Sequence, residues 1–365
     1  MLTRWNDWFK IRTACGINGE IWVYDIFSRG IYILNYDKTI SVTPVFRVPR
    51  NENNSEIRGI FFDGNKVVFV PEYLNDYWFF MDRSNCEVTP KRITDLAIRI
   101  SEVVRFRDKI YLLPIKQNEP IIVLSENGYE IEKEIEGWSE KAAEGKFMYT
   151  WGVCCNGDRF CYPMVMTGSI LVCSEVFFGT IQTNIREGIY SIALEGDKIW
   201  ILPKEGKSIF YYLMEKKEAG CVRVFGDNES KTCSRYSRIM ITEDYIILLP
   251  LYPNDIIVLN KNTSEQKRIP TGIIRHSFFD ADGGSIVWWY HKNISRTKIL
   301  LLPFQGYFTI LDIEEGVLSN IEISDEDTGY KRKKWLEQSI KENGMLFEEK
   351  DDASFKEFLQ YCLKY

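Results

Sequence analysis

A six-residue string ending in proline recurs along the chain: K-V-V-F-V-P (66–71), K-I-Y-L-L-P (109–114), K-I-W-I-L-P (198–203), Y-I-I-L-L-P (245–250) and K-I-L-L-L-P (298–303). A degenerate copy, R-F-C-Y-P, spans 159–163. A copy with aspartate in the proline slot, E-I-W-V-Y-D, spans 20–25. The slot falls at 25, 71, 114, 163, 203, 250 and 303, and six of the twelve prolines fill it. A self-similar period of this size means one supersecondary unit copied many times, each copy burying its apolar faces against its neighbours. That overrides the two or three domains that a length of 365 residues would otherwise suggest.

Each unit reads as four short strands. In the second, Gly59–Phe62, Lys66–Val70, Tyr77–Met81 and Glu87–Ile93 are the strands, and Gly64-Asn65 is a turn signal. Proline closes the second strand because it has no N–H to continue the ladder. Several second and third strands are apolar throughout, as strands covered on both faces must be. The content of 10 Trp, 20 Tyr and 22 Phe also favours strand over helix. Four-stranded units at this period are β-propeller blades. The expected units are about 9–47, 58–93, 99–136, 147–185, 188–225, 236–269 and 285–324, forming one body over 1–324. Residues 1–8 are a candidate closing strand beside the last unit.

The layout of K-I-Y-L-L-P-I-K-Q-N-E-P-I-I-V-L (109–124) resembles the prokaryotic Y-V-T-N repeats of seven-bladed β-propellers, with a looser kelch-like character. It lacks the Thr-Asn of that family, the kelch Gly-Gly doublet and the Trp-Asp of WD repeats. The resemblance implies an all-β, seven-bladed propeller of four-stranded blades. It carries no function with it, because propellers host binding, scaffolding and several chemistries.

From Ser324 the composition turns charged and helical. A helix is expected at about Tyr330–Lys341, carrying Trp335, Leu336 and Ile340. A second, at 354–365, opens with the capping box Ser354-Phe-Lys-Glu357. Residues 325–365 thus form a helical extension that docks on the propeller or on a partner.

The residue inventory argues against most chemistries. A net charge of −6 is not a nucleic-acid surface. Nine cysteines at irregular spacings, with no C-x-x-C pair, read as buried apolar residues of a reducing, cytoplasmic compartment. The N-terminus has no signal-peptide core, and no apolar run is long enough to span a membrane. With only His276 and His291, a three-histidine metal site cannot be built, and both read as structural or surface histidines. Asp-Ala-Asp-Gly-Gly-Ser (280–285) resembles the start of a calcium loop but has His291 where the distal glutamate belongs. No nucleotide-binding glycine motif or G-x-S-x-G occurs. The expectation is a bacterial-type protein with no cofactor and no metal.

Recognition by surface loops is what remains. In a propeller the loops after the second strand and the linkers between units emerge on one face, around the central channel. The candidates there are Arg58, Asp76, Lys116, Trp138, Arg186, Lys204, Arg238, Tyr252, Asp255, His276 and Tyr307, with Glu72 beside them. Arg, Tyr and Trp dominate protein hot spots, so a protein partner is the leading expectation. Aromatics with Asn and Asp suit a glycan as an alternative, in a protein of surface-polysaccharide metabolism. A lyase or hydrolase using carboxylates and Tyr at the channel mouth is a third reading. The residues after the slot differ in every unit, which points to one asymmetric site rather than seven equivalent ones.

Overall fold

A computed structural model describes residues 9–17, 19–35, 41–50, 55–116, 118–125, 129–136, 153–164, 168–183, 185, 188–226, 232–250, 255–271, 288–303, 307–321 and 326–342. These form seven antiparallel four-stranded sheets, each built from four consecutive strands. Blade 1 is β1 (Ile11–Ile17), β2 (Glu20–Asp25), β3 (Gly30–Asn35) and β4 (Ser41–Arg47). Blade 2 is β5 (Ile57–Asp63), β6 (Lys66–Pro71), β7 (Tyr77–Asp82) and β8 (Val88–Arg92). Blade 3 is β9 (Ile100–Phe106), β10 (Lys109–Pro114), β11 (Ile121–Ser125) and β12 (Ile131–Ile135). Blade 4 is β13 (Cys154–Cys155), β14 (Arg159–Met164), β15 (Ser169–Ser174) and β16 (Phe178–Gln182). Blade 5 is β17 (Ile189–Glu195), β18 (Lys198–Pro203), β19 (Ser208–Leu213) and β20 (Glu218–Arg223). Blade 6 is β21 (Tyr236–Ile241), β22 (Tyr245–Pro250), β23 (Ile256–Asn260) and β24 (Gln266–Ile269). Blade 7 is β25 (Trp288–Asn293), β26 (Lys298–Pro303), β27 (Thr309–Asp312) and β28 (Val317–Asn320).

The proline is the last residue of its strand in five blades and lies one residue from the end in blade 4. Its consequence is visible on the strand it faces. In blades 1, 2, 3, 5, 6 and 7 the first strand skips one residue opposite the slot: Arg12, Arg58, Ser101, Tyr190, Ser237 and Trp289. A residue without an N–H cannot complete a ladder pair, and the chain inserts an extra residue there. Such a bulge raises the local twist and re-aims neighbouring side chains. Asp25 keeps the bulge without the proline, so the backbone form is a property of the blade and not of proline alone.

Seven apolar clusters fill the seven gaps between neighbouring blades. Trp22 and Phe69 meet between blades 1 and 2, with centroids 6.3 Å apart. Between blades 2 and 3, Gly59 lies so close to Val103 that a Cβ there would stand 2.4 Å from Val103 Cγ2. The ring closes where blade 7 meets blade 1, through Leu300, Leu302 and Phe308 against Phe9, Ile11 and Val23. Blade 7 supplies all four of its own strands, so it borrows none from another blade. The closing strand expected at 1–8 lies outside the described residues.

Helix α1 (Glu326–Glu342) begins one turn earlier than expected and packs on blade 1, with Trp335 against the apolar cluster that closes the ring. Its buried residues, Thr328, Arg332, Leu336 and Ser339, recur at helical spacing. Thr328 Oγ1 donates to the Val42 carbonyl at 3.1 Å, Arg332 pairs with Asp25 at 3.1 Å, and Arg47 reaches Glu342 at 2.7 Å. Trp335 packs edge-on to Tyr32, and a Cβ on Gly30 would meet the Trp335 ring at 2.6 Å. The second expected helix, 354–365, lies outside the described residues. No helix among the described residues is long and apolar enough to cross a membrane.

Candidate functional site: the loop face and channel

Two charge networks are built where the loops of blades 1 to 3 meet. Arg12 pairs with Glu56 at 3.3 Å. Glu72, the residue after Pro71, accepts from Arg58 Nε at 3.1 Å and from Arg99 Nε at 2.8 Å. Arg58 and Glu72 are both buried, so their pairing is a structural lock on loop 71–76. That loop is laced to the linker entering blade 3: Leu74 N–H donates to the Ile98 carbonyl at 3.0 Å and Ile100 N–H to the Glu72 carbonyl at 2.9 Å. Tyr73 and Arg99 form a further bridge, with the guanidinium 5.7 Å from the ring centroid.

The loop-face candidates have separate fates. Arg58 and Asp76 are buried beneath the blade 2 loop and support it rather than offer charge to a partner. Lys116 is partly exposed and pairs with Glu119 at 3.3 Å. Lys204 lies 5.9 Å from the Tyr190 ring centroid, and partial burial draws its ammonium below the usual lysine range. Asp255 and Tyr307 are half-buried on blades 6 and 7. Trp138, Arg186, Tyr252 and His276 lie outside the described residues, as does the loop 280–285.

Arg238 does not sit with the loops. It follows the bulge on β21 and pairs in register with Leu249. Its charge acts on Glu102 of blade 3, Cys154 of blade 4 and His291 of blade 7. The closed ring thus brings that guanidinium within electrostatic reach of three other blades. Burial pushes Glu102 up to about 7, against the pull of Arg238 and Arg12. Burial, reinforced by Arg238 and Lys292, lowers His291 to about 3, and its Nδ1 has no hydrogen-bond partner among the described residues. The imidazole is therefore neutral, not a hydrogen-bonded surface histidine at that nitrogen. Cys154 donates to the Ile192 carbonyl at 2.8 Å and is held as a thiol, its pKa raised to about 12 by burial. Ser191 Oγ accepts from Ile239 N–H at 3.3 Å. Such contacts satisfy the channel-facing edges of the inner strands with side chains of the next blade.

The Glu102 shift has a consequence for stability. A carboxyl whose folded value exceeds its unfolded value binds its proton more tightly in the folded state. Stability is then highest below the unfolded carboxylate value and falls as pH rises toward 7. Thermal unfolding from pH 5 to 8 should show Glu102→Gln gaining on the wild type as pH rises. A constant difference across that range would assign the shift elsewhere.

On the opposite face, a cleft of about 510 Å³ between blades 5 and 6 is lined by Glu195, Lys198, Trp200, Lys261 and Asn262. The Lys198 ammonium stands 4.8 Å from the Trp200 ring centroid, and Trp200 Nε1 donates to Glu195 at 2.7 Å. This covers the aromatic face that a sugar would stack on. A neighbouring cleft of about 370 Å³ is lined by Val172, Phe177, Ile181, Tyr212 and Met214. Among the described residues, no group of three His, Cys, Asp or Glu side chains is placed to hold a metal.

Sequence reading found Arg58, Glu72 and Arg238 as residue types but missed Glu102 and Arg12. Their signal was present in the position each takes relative to the bulge, which the repeat register fixes.

No family model matches the chain, and no curated protein matches it. Solved structures do. A catalytically inactive virginiamycin B lyase from Staphylococcus aureus, solved with quinupristin, is 12% identical, with a TM-score of 0.58 over 84% of this chain and 95% of that one. YCF48 bound to D1 peptide is 10% identical, with a TM-score of 0.55 over 84% and 96%. A mitotic checkpoint complex chain is 10% identical, with a TM-score of 0.54 over 79% and 83%. These matches do not assign the repeats to the Y-V-T-N or kelch class. At such identities they speak for the fold alone, and with the seven closed blades they make this chain a seven-bladed β-propeller.

Proposed function

We propose that the protein is a non-catalytic binding module whose loop face engages a protein segment rich in acidic and aromatic side chains. The observation that carries this reading is the stiffened loop 71–76, laced to the next blade's linker over a buried Arg58–Glu72 pair. Two guanidiniums, Arg58 and Arg99, share the one Glu72 carboxylate, so the cluster keeps a net positive charge, with Arg99 of the adjoining linker lying over Tyr73. Lys204 over Tyr190 repeats the pairing on blade 5. Cation and aromatic together favour carboxylates and rings in a partner, and a loop already ordered loses little entropy on binding. The peptide and protein assemblies in which similar propellers were solved are consistent with it.

The test is selection from a displayed peptide library on the full chain. Enriched peptides should carry Asp or Glu beside Trp, Tyr or Phe. Their binding should weaken about tenfold or more in an Arg99→Ala, Lys204→Ala variant and fall with added salt. Failure to enrich any peptide, or binding indifferent to both changes, would overturn the reading.

A further inference from the structure

The cleft between blades 5 and 6, on the face opposite the loops, is lined by two lysines, Lys198 and Lys261. Their situations differ. Lys261 donates to the Glu195 carboxylate and, at 2.8 Å, to the Thr242 carbonyl. Lys198 stands 4.8 Å from the Trp200 ring centroid and 5.1 Å from that of Tyr211. Those two rings meet edge to face, with centroids 5.4 Å apart. Ring faces attract an ammonium but accept only weak hydrogen bonds. Lys198 makes no hydrogen bond or ion pair among the described residues, so its N–H groups lack an acceptor there.

The carboxylates around Lys198 are already engaged. Glu195 accepts from Lys261 and, at 2.7 Å, from Trp200 Nε1. Burial works to raise it, but those hydrogen bonds and the Lys261 charge hold it below the usual carboxylate range. Asp197 pairs with Arg159 at 3.4 Å, and its other oxygen accepts from the Glu215 N–H at 2.9 Å. Glu243 stands in solvent, with Arg296 3.9 Å away. From blade 6, Asn262 and Ser264 line the same cleft, and neither side chain has a hydrogen bond among the described residues. Leu213 and Val222, half-buried on blade 5, give the cleft apolar surface.

We propose that this cleft binds a small organic monocarboxylate with an apolar body. The carboxylate sits on Lys198, helped by the Asn262 amide and the Ser264 hydroxyl, and the body lies against Leu213 and Val222. A volume of about 510 Å³ is within the range of small-molecule sites. A carboxylate gives the ammonium the acceptor that the rings do not, and hydrogen bonds between ionised partners are the strong ones. One uncommitted ammonium matches one negative charge. A dianion such as a phosphate ester meets added repulsion from Glu195 and Asp197. A neutral sugar is disfavoured, because the ammonium covers the Trp200 face. The inference stands independently of the loop-face reading, since it lies on the opposite face and uses none of the loop residues.

The experiment is titration calorimetry of the full chain at neutral pH with phenylacetate, phenylacetamide, acetate and phenyl phosphate. Phenylacetate should bind about tenfold or more tightly than the amide, which lacks the charge, and than acetate, which lacks the body. Phenyl phosphate should bind more weakly than phenylacetate. Lys198→Met should weaken phenylacetate about tenfold or more, while Lys198→Arg keeps most of the affinity and added salt lowers it. Lys204→Ala, on the loop face, should leave it unchanged. Circular dichroism checks that the variants fold. Equal binding of acid and amide, tighter binding of phenyl phosphate, unchanged binding in Lys198→Met, or no phenylacetate binding at millimolar concentration would each overturn the proposal. Should Lys198→Met fail to fold, the acid-to-amide ratio on the wild type decides it alone.

Discussion

Replacing Asp25 with proline, the residue that six other units carry at this place, destabilises the protein by about 3–5 kcal/mol instead of repairing the repeat. Asp25 is fully buried and its carboxylate is an anchor. Oδ1 accepts from Lys10 N–H at 2.8 Å, while Oδ2 accepts from Ser28 Oγ at 2.6 Å and from Arg332 Nη2 at 3.1 Å. The Arg332 side chain is equally buried and lies 4.1 Å from the Phe9 ring centroid. Asp25→Pro leaves that guanidinium in the interior without its counter-charge, the costly half of a broken buried pair. Arg332→Met should cost less, because Asp25 keeps its hydrogen bonds from Lys10 and Ser28. Asp25→Pro combined with Arg332→Met should recover a good part of the loss, since an apolar pair of similar volume removes the stranded charge. Urea midpoints of the four proteins form a double-mutant cycle. Additive costs would show that the two residues do not act as a pair.

The reason lies in ring closure. Blade 7 does not share a strand with blade 1, so the seam is held by apolar contact, to which α1, anchored on blade 1, adds Trp335. The aspartate that breaks the repeat is the receptor for that helix. In the sequence the exception was plain, but its meaning was not, because Arg332 is 307 residues away. Nor did the buried stripe of α1 declare itself. Three of its four residues, Thr328, Arg332 and Ser339, are polar, and a search for apolar periodicity passes over them.

The same distinction separates what was legible elsewhere. The blades were legible because a proline-ended strand, a tight turn and an apolar partner strand are all local. The number of blades followed from counting. The bulge was not anticipated, although it sits opposite every slot whose facing strand is described, because strand pairing has to be seen before a skipped residue shows. Glu102 and Arg238 stand in different blades, and only the closed ring brings the charge of one to bear on the other. Loop residues were chosen by type, and type does not tell a buried lock such as Arg58 from a half-exposed cation such as Arg99.

That last contrast gives the second large effect. Arg58→Met should destabilise by about 3–5 kcal/mol, because it leaves the buried Glu72 carboxylate with only the more exposed Arg99. Arg99→Ala should cost no more than about 1 kcal/mol, as expected for a pair with one partner in solvent. The two arginines touch the same oxygen of Glu72, so they separate burial from mere contact. The damage should also be local. Glu72 N–H donates to the Glu56 carbonyl at 2.7 Å, and Leu74 and Ile100 tie the loop to the next linker. Those three amides should exchange with solvent about 10- to 100-fold faster in Arg58→Met, the equivalent of losing about 1–3 kcal/mol of local protection. Amides of β22 and β23, on the far side of the ring, should change only as global stability does. If the loop does orient a partner, Arg58→Met also weakens the selected peptides while leaving Arg99 and Tyr73 in place. Uniform loss of protection around the ring would instead make Arg58 a general core residue and remove the support for a preformed binding loop.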